Sequence, residues 1–273
     1  MLSKKKDNAI QLVIYMEDFY ESYTSNKTDL LGVVKEVFAM FKDNEEFKAL
    51  ELSKYAISHF DEAKDKIMFK VIHAASNKEL LKDIPYIPFL DMAIVFYLFL
   101  ERNKQGQMTA LIHHTHRNMW NVTEQELMEV AQVNTPAVHP ATIRHMNDVM
   151  KELVKEQLGD NYNEKIMNIF LEDEEATTPL YVLSNPTVLN GACCMLYPDV
   201  VKDFADRADN DLIILPSSIH EVLITLDNNA MSYEDYVDMV TSINEAEVEP
   251  SERLTNSIYL FSRETERITL FER

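Results

Sequence analysis

The chain has 273 residues, 46% of them hydrophobic and 26% charged, a mix that suits one large folded domain or two small ones rather than a disordered segment. Its formal net charge of −20 repels phosphate backbones and argues against direct nucleic-acid binding. Only four glycines occur, and neither G-x-G-x-x-G nor G-x-x-x-x-G-K-[ST] is present, which removes the two familiar glycine-rich nucleotide loops. The charge is uneven. Residues 1–150 hold 21 acidic and 17 basic side chains, whereas residues 151–273 hold 25 and 9.

In chain order, the first segment has a basic start and a short apolar run that acids follow at once. It lacks a small-residue cleavage site, so residues 9–16 read as a strand rather than a signal peptide. Asp29 to Asn44 places apolar residues at helical spacing. Ile67 to His73 reads as a strand. Phe89 to Leu100 is apolar on both faces, which predicts a central strand and is too short to cross a bilayer. The protein is therefore expected in the cytoplasm, away from membranes. Asn103 to Gly106 predicts a hairpin, with Gln107 to His114 as the returning strand.

A helix is predicted over Thr123 to Gln132. Thr123 and Glu126 form a capping box, Val122 and Leu127 a hydrophobic staple, and Thr135-Pro136 the expected end. Residues 141–175 read as helical and finish in an acidic run, and Thr177-Thr178-Pro179 marks the best internal boundary. Beyond it come strands at Leu180–Leu183 and Ala192–Tyr197, a helix to Ala208, and strands at Leu212–Leu215 and Glu221–Thr225. A helix over Ser232–Glu245 and a final hairpin, Ser257–Phe261 with Arg267–Phe271, complete the chain. The expected fold is α+β and two-lobed, 1–178 and 179–273, with mixed or antiparallel sheets. The order from 192 to 261 predicts a ferredoxin-like split βαβ unit.

Four groups of residues could carry chemistry. His114 and His116 would share one face of an extended strand, where two imidazoles can reach one divalent ion. His139, His145 or Asp91 would supply a third ligand, and Asp91 could serve as the base for a metal-activated water. No cofactor beyond that ion is expected. Cys193 and Cys194 are adjacent and cannot bridge each other without distortion. Either could be paired with His220 as nucleophile and base, although the acidic surroundings favour a plain buried thiol. Ser217, Ser218, His220 and Glu221 are too close on one extended segment to assemble a catalytic triad, and read as a turn. Asp199, Asp203, Asp206, Asp209 and Asp211, together with that turn, form the expected contact surface for a partner protein with a basic face.

The segments KELLKDIPYIPFLDMAIVFYLFLE, MTALIHHTHRNMWNVTEQEL, PLYVLSNPTVLNGACCMLYPDVVKDFADRADNDLIILPSSIHEVLI and INEAEVEPSERLTNSIYLF carry a resemblance. They are similar to a family of uncharacterised proteins of gut Firmicutes, described only as a domain of unknown function. PSSIHEVL is its most specific string. Typical members begin with a further helix and strand ahead of the segment matching Ala9 to Tyr15, which this chain is expected to lack. The resemblance implies a fold and no activity. The leading expectation is therefore a non-enzymatic protein-binding or regulatory module. A metal-dependent hydrolase using the histidines and an acidic nucleic-acid-mimicking inhibitor are the alternatives.

Overall fold

The structure, a computed structural model, describes residues 2–3, 10–14, 17–25, 27–37, 39, 59–103, 106–159, 163, 167 and 179–272. The expected acidic run at 172–175 and the boundary at 177–178 lie outside them. The chain forms two compact units: residues 1–68 with 96–131, and residues 69–95 with 132–273. The division is thus interleaved.

In the first unit, strand β1 (Leu2–Ser3) pairs with β2 (Ile10–Ile14), and β2 pairs with β6 (Gly106–Leu111), all antiparallel. Strands β3 (Ile67–His73) and β5 (Met92–Asn103) run from one unit into the other, and β4 (Tyr86–Phe89) belongs to the second. Strand β5 closes on β6 as far as Asn103↔Gly106, the hairpin read from the sequence. Helices α1 (Glu17–Thr24), α2 (30–37), α3 (Phe60–Ala63) and α4 (His114–Trp120) follow their local signals to different degrees. Asp29 caps α2 by accepting from the Gly32 amide at 2.7 Å. Helix α4 replaces the expected end of a strand: β6 stops at Leu111, and the chain turns helical three residues later.

Helix α5 (Glu124–Val138) starts as its sequence demands. The Glu126 amide donates to Thr123 Oγ1 at 3.2 Å, and Glu126 Oε2 accepts from the Thr123 amide at 2.8 Å. The staple residue Leu127 is fully buried. The helix does not stop at Thr135-Pro136, because Pro136 sits near its end and removes only one internal bond. The His139 amide still reaches Thr135 O at 2.8 Å.

The second unit is built on one six-stranded antiparallel sheet. It contains β7 (Thr142–His145), β8 (Leu180–Ser184), β9 (Leu212–Ser218), β10 (Glu221–Leu226), β11 (Tyr259–Ser262) and β12 (Arg267–Leu270). Their order is β12-β11-β9-β10-β8-β7. Helices α6 (Met146–Leu158), α7 (Val200–Ala208) and α8 (Tyr233–Glu247) accompany it. Helix α8 begins at Ser232, whose hydroxyl accepts from the Asp235 amide. It lays Tyr236 and Val240 against Ile213, Leu215 and Ile258. The fold class is α+β as expected, and two details differ. Residues 142–145 form a strand where helix was expected. Ala192–Tyr197 was expected as a strand, whereas Gly191–Leu196 is a 3-10 helix with five consecutive buried residues. A short apolar run buried on every side does not reveal its backbone geometry. Taking β8 as the first strand restores a β-α-β-β-α-β order, but the last strand, β11, lies beside β9 rather than beside β8. A ferredoxin-like unit would place the first and last strands together, so that expectation is not confirmed.

Candidate functional site

The PSSIHEVL segment forms the end of β9, a tight turn and the start of β10, and it closes against the loop 185–190 that precedes the 3-10 helix. Asn185 organises that loop: its Oδ1 accepts from the Thr187 amide and its Nδ2 donates to Leu189 O. Val188 and Asn190 then take left-handed backbone, with φ of 50° and 53°. For the β-branched Val188, half exposed to solvent, that is a strained conformation. Gly191 follows with no room for a side chain. A Cβ there would lie 2.2 Å from Ser184 Oγ and 2.4 Å from the His220 carbonyl. The Ser184 hydroxyl occupies that space by donating to His220 O at 2.7 Å.

His220 is held from four directions. Its amide donates to Ser218 Oγ at 3.1 Å, and its carbonyl receives Ser184. Its Nδ1 accepts from the Asn190 amide at 3.3 Å. In the neutral ring that places the proton on Nε2, which is buried and lies 3.5 Å from Glu252 Oε1. Neighbouring backbone completes the clasp: the Ala192 amide reaches Ile219 O, and the Ile219 amide reaches Glu252 O at 2.9 Å. Nδ1 of His220 is therefore taken up by backbone, while Nε2 is buried beside Glu252 without a hydrogen bond among the described residues. Glu221 is partly buried, and that desolvation raises its carboxyl above the ordinary range despite the nearby His220.

Cys193 and Cys194 are free and buried in the 3-10 helix. Cys193 Sγ lies 3.7 Å from the Tyr197 hydroxyl, which donates to His139 O at 3.0 Å. The adjacent Cys194 and burial push the Cys193 thiol up, away from the thiolate a nucleophile needs. This region is packing, with the Tyr197 ring edge-on to Phe69 at 5.9 Å.

The shared strand face assumed for His114 and His116 is replaced by a helix, which turns residues two apart to different sides. Among the described residues, no group of three or more His, Cys, Asp or Glu could hold a metal ion. His116 Nδ1 accepts from the His113 amide at 3.0 Å, and its ring stacks on Trp120 with centroids 5.8 Å apart. His145 caps α6 through Nδ1, and its ring meets Tyr181.

Asp91 does not sit inside a long strand. The expected strand from Phe89 is broken at Leu90-Asp91, where Leu90 adopts φ 53° and β4 folds back on β5 through Phe89↔Met92. The Asp91 carboxylate accepts from Thr255 Oγ1 at 2.5 Å and from the Tyr259 hydroxyl. Burial, reinforced by that carboxylate, drives the Tyr259 phenol far up. Asp91 is thus an anchor with two donors, and its anchoring role replaces the expected base role as the account of its burial.

The five aspartates around α7 divide. Arg263 gathers three: Nη1 donates to Asp209 at 2.7 Å, Nε to Asp206 at 3.3 Å, and its backbone amide to Asp211 at 2.9 Å. Asp199 and Asp203 stay exposed at the start of the helix, and among the described residues no cation pairs with them. Ser218, His220 and Glu221 are turned into the clasp rather than presented with these acids. Sequence reasoning missed Ser184, Asn190, Gly191 and Glu252 as members of the clasp. The one available signal was Gly191, placed after N-P-T-V-L-N in a chain with so few glycines.

Among the described residues no helix is long and apolar enough to cross a membrane. In sequence comparisons one family profile matches residues 1–263, that of a family of unknown function, DUF5688. No curated protein and no solved structure matches.

Proposed function

The chain belongs to that family of unknown function, and from its geometry we propose that it acts without catalysis, as a module that binds a partner protein bearing a basic surface. One observation carries the reading: His220 spends Nδ1 on the Asn190 amide, and its Nε2 is buried 3.5 Å from Glu252 rather than open to a substrate. The residues that could have carried chemistry serve the fold instead. Exposed carboxylates that join no ion pair among the described residues remain at Asp199 and Asp203 at the start of α7, with the exposed Arg207 near its end. A cation from a partner meets no competing internal cation there, whereas at Asp206, Asp209 and Asp211 it would have to displace Arg263.

The nucleic-acid-mimicking reading draws less support, because a phosphate mimic needs a continuous row of unpaired carboxylates and Arg263 interrupts it. The hydrolase reading loses the strand geometry on which it rested. The test is affinity capture from the native host with the full chain, at low and high salt, beside an Asp199→Asn/Asp203→Asn variant. A partner released by salt and lost by the variant supports the proposal. A partner held equally by the variant overturns the assigned surface. Stoichiometric metal in chelator-free protein, measured by elemental mass spectrometry, would overturn the non-catalytic reading.

A further inference from the structure

Helix α4 starts in an unusual way. A helix N-terminus leaves backbone amides to satisfy, and the common capping box uses Ser or Thr with Glu or Gln. Here the group that reaches back to the amide of the capping residue is an imidazole: His116 Nδ1 accepts from the His113 N–H at 3.0 Å. That bond exists only while Nδ1 keeps its lone pair. A proton placed there turns an acceptor into a donor facing another donor, and adds positive charge at the end of a helix that disfavours it.

We propose that His116 is an acid-released latch: protonation of its ring opens the first turn of α4 and frees the segment from His113 to Asn121. Among the described residues, the groups around the ring support the neutral form or are already paired. His113 lies edge-on to it at 5.8 Å, and His114 follows in the same turn. Arg117 one residue on pairs with Glu124 of α5, so neither is left over to receive an imidazolium. Trp120 stacks on the opposite side with Phe60 of α3 behind it, and supplies an apolar wall. Burial, with a smaller contribution from His113, lowers the His116 pKa. The sign follows directly. The unfolded chain binds the proton more readily, so this contribution to stability is present above the ordinary histidine range. It is lost as pH falls through that range.

The test uses amide exchange of the full chain, corrected for intrinsic rates, over the peptide spanning 113–121. Protection is expected to fall between about pH 7.5 and pH 5.5, by up to about tenfold. The H116Q variant keeps an acceptor of the capping-box kind and does not titrate, so its protection is expected to stay level over the same range. An equal fall in H116Q, or unchanged protection in the wild type, overturns the proposal. Should H116Q fail to fold, ring-nitrogen chemical shifts of His116 in the wild type decide instead. The latch requires the Nε2–H tautomer at neutral pH and a titration that coincides with the shift of the His113 amide. The opposite tautomer overturns it.

Discussion

Two turns of this protein are built around a histidine, and they use the ring in opposite circumstances. At the start of α4, His116 accepts one backbone N–H, and the Glu124 carboxylate is paired with Arg117. At the β9–β10 turn, His220 also accepts one backbone N–H, but its other nitrogen has the Glu252 carboxylate at 3.5 Å. The same acceptor geometry is exposed to acid in the first case. In the second it is one of several bonds in a clasp that Ser184, Ser218 and backbone amides also hold. The first turn of α4 has, besides the histidine cap, the His116 and Arg117 amides on the His113 carbonyl, whereas the clasp draws on side chains and backbone from several segments.

The largest way to break this comparison is to remove the clasp without touching its histidine. Gly191→Ala drives a methyl into Ser184 Oγ and the His220 carbonyl, and backbone cannot yield as a side chain tip can. A loss of about 2–3 kcal/mol is expected in urea unfolding, the same at neutral and mildly acidic pH. A loss that vanished in acid would show that His220 too behaves as a switch. Next in size, Thr123→Ala deletes the side-chain half of an ordinary capping box on α5. It should cost about 1 kcal/mol with no dependence on pH across the histidine range. That variant is the non-titrating counterpart of the His116 latch, and a pH-dependent cost would undo the distinction. The smallest effect is a gain. Glu221 titrates above the usual range because it is desolvated, so the folded state holds its proton more tightly than the unfolded chain does. Stability is therefore lost as pH rises through that interval, and Glu221→Gln should be slightly more stable than the wild type at neutral pH and level with it in acid. A destabilised Glu221→Gln would mean that the carboxylate has a partner the fold depends on.

Much of the fold was legible because its signals act within a turn or two. The Thr123–Glu126 box, the Ser232 start of α8 and the Asn103–Gly106 hairpin each need only neighbouring residues. The site was less legible. PSSIHEVL was recognisable as a string and as a turn, yet the atoms that determine its chemistry come from Ser184, Asn190 and Glu252. Two readings failed for one reason. Gly191–Leu196 and residues 112–116 are short runs that fit a strand or a helical turn equally well, and local pattern does not choose between them.

By itself, then, the sequence determined the α+β class, the helix starts at Asp29, Thr123 and Ser232, the main hairpin and the acidic character of the C-terminal half. Only tertiary structure decided that Asp91 is an anchor, that three of the five aspartates around α7 answer to Arg263, and that His220 turns Nδ1 to the Asn190 amide. The reason is distance along the chain. Asp91 meets donors more than 160 residues away, Arg263 reaches back more than 50, and His220 meets an amide 30 residues earlier. Hydrogen bonds at that separation depend on which strands lie side by side, and no local propensity encodes them.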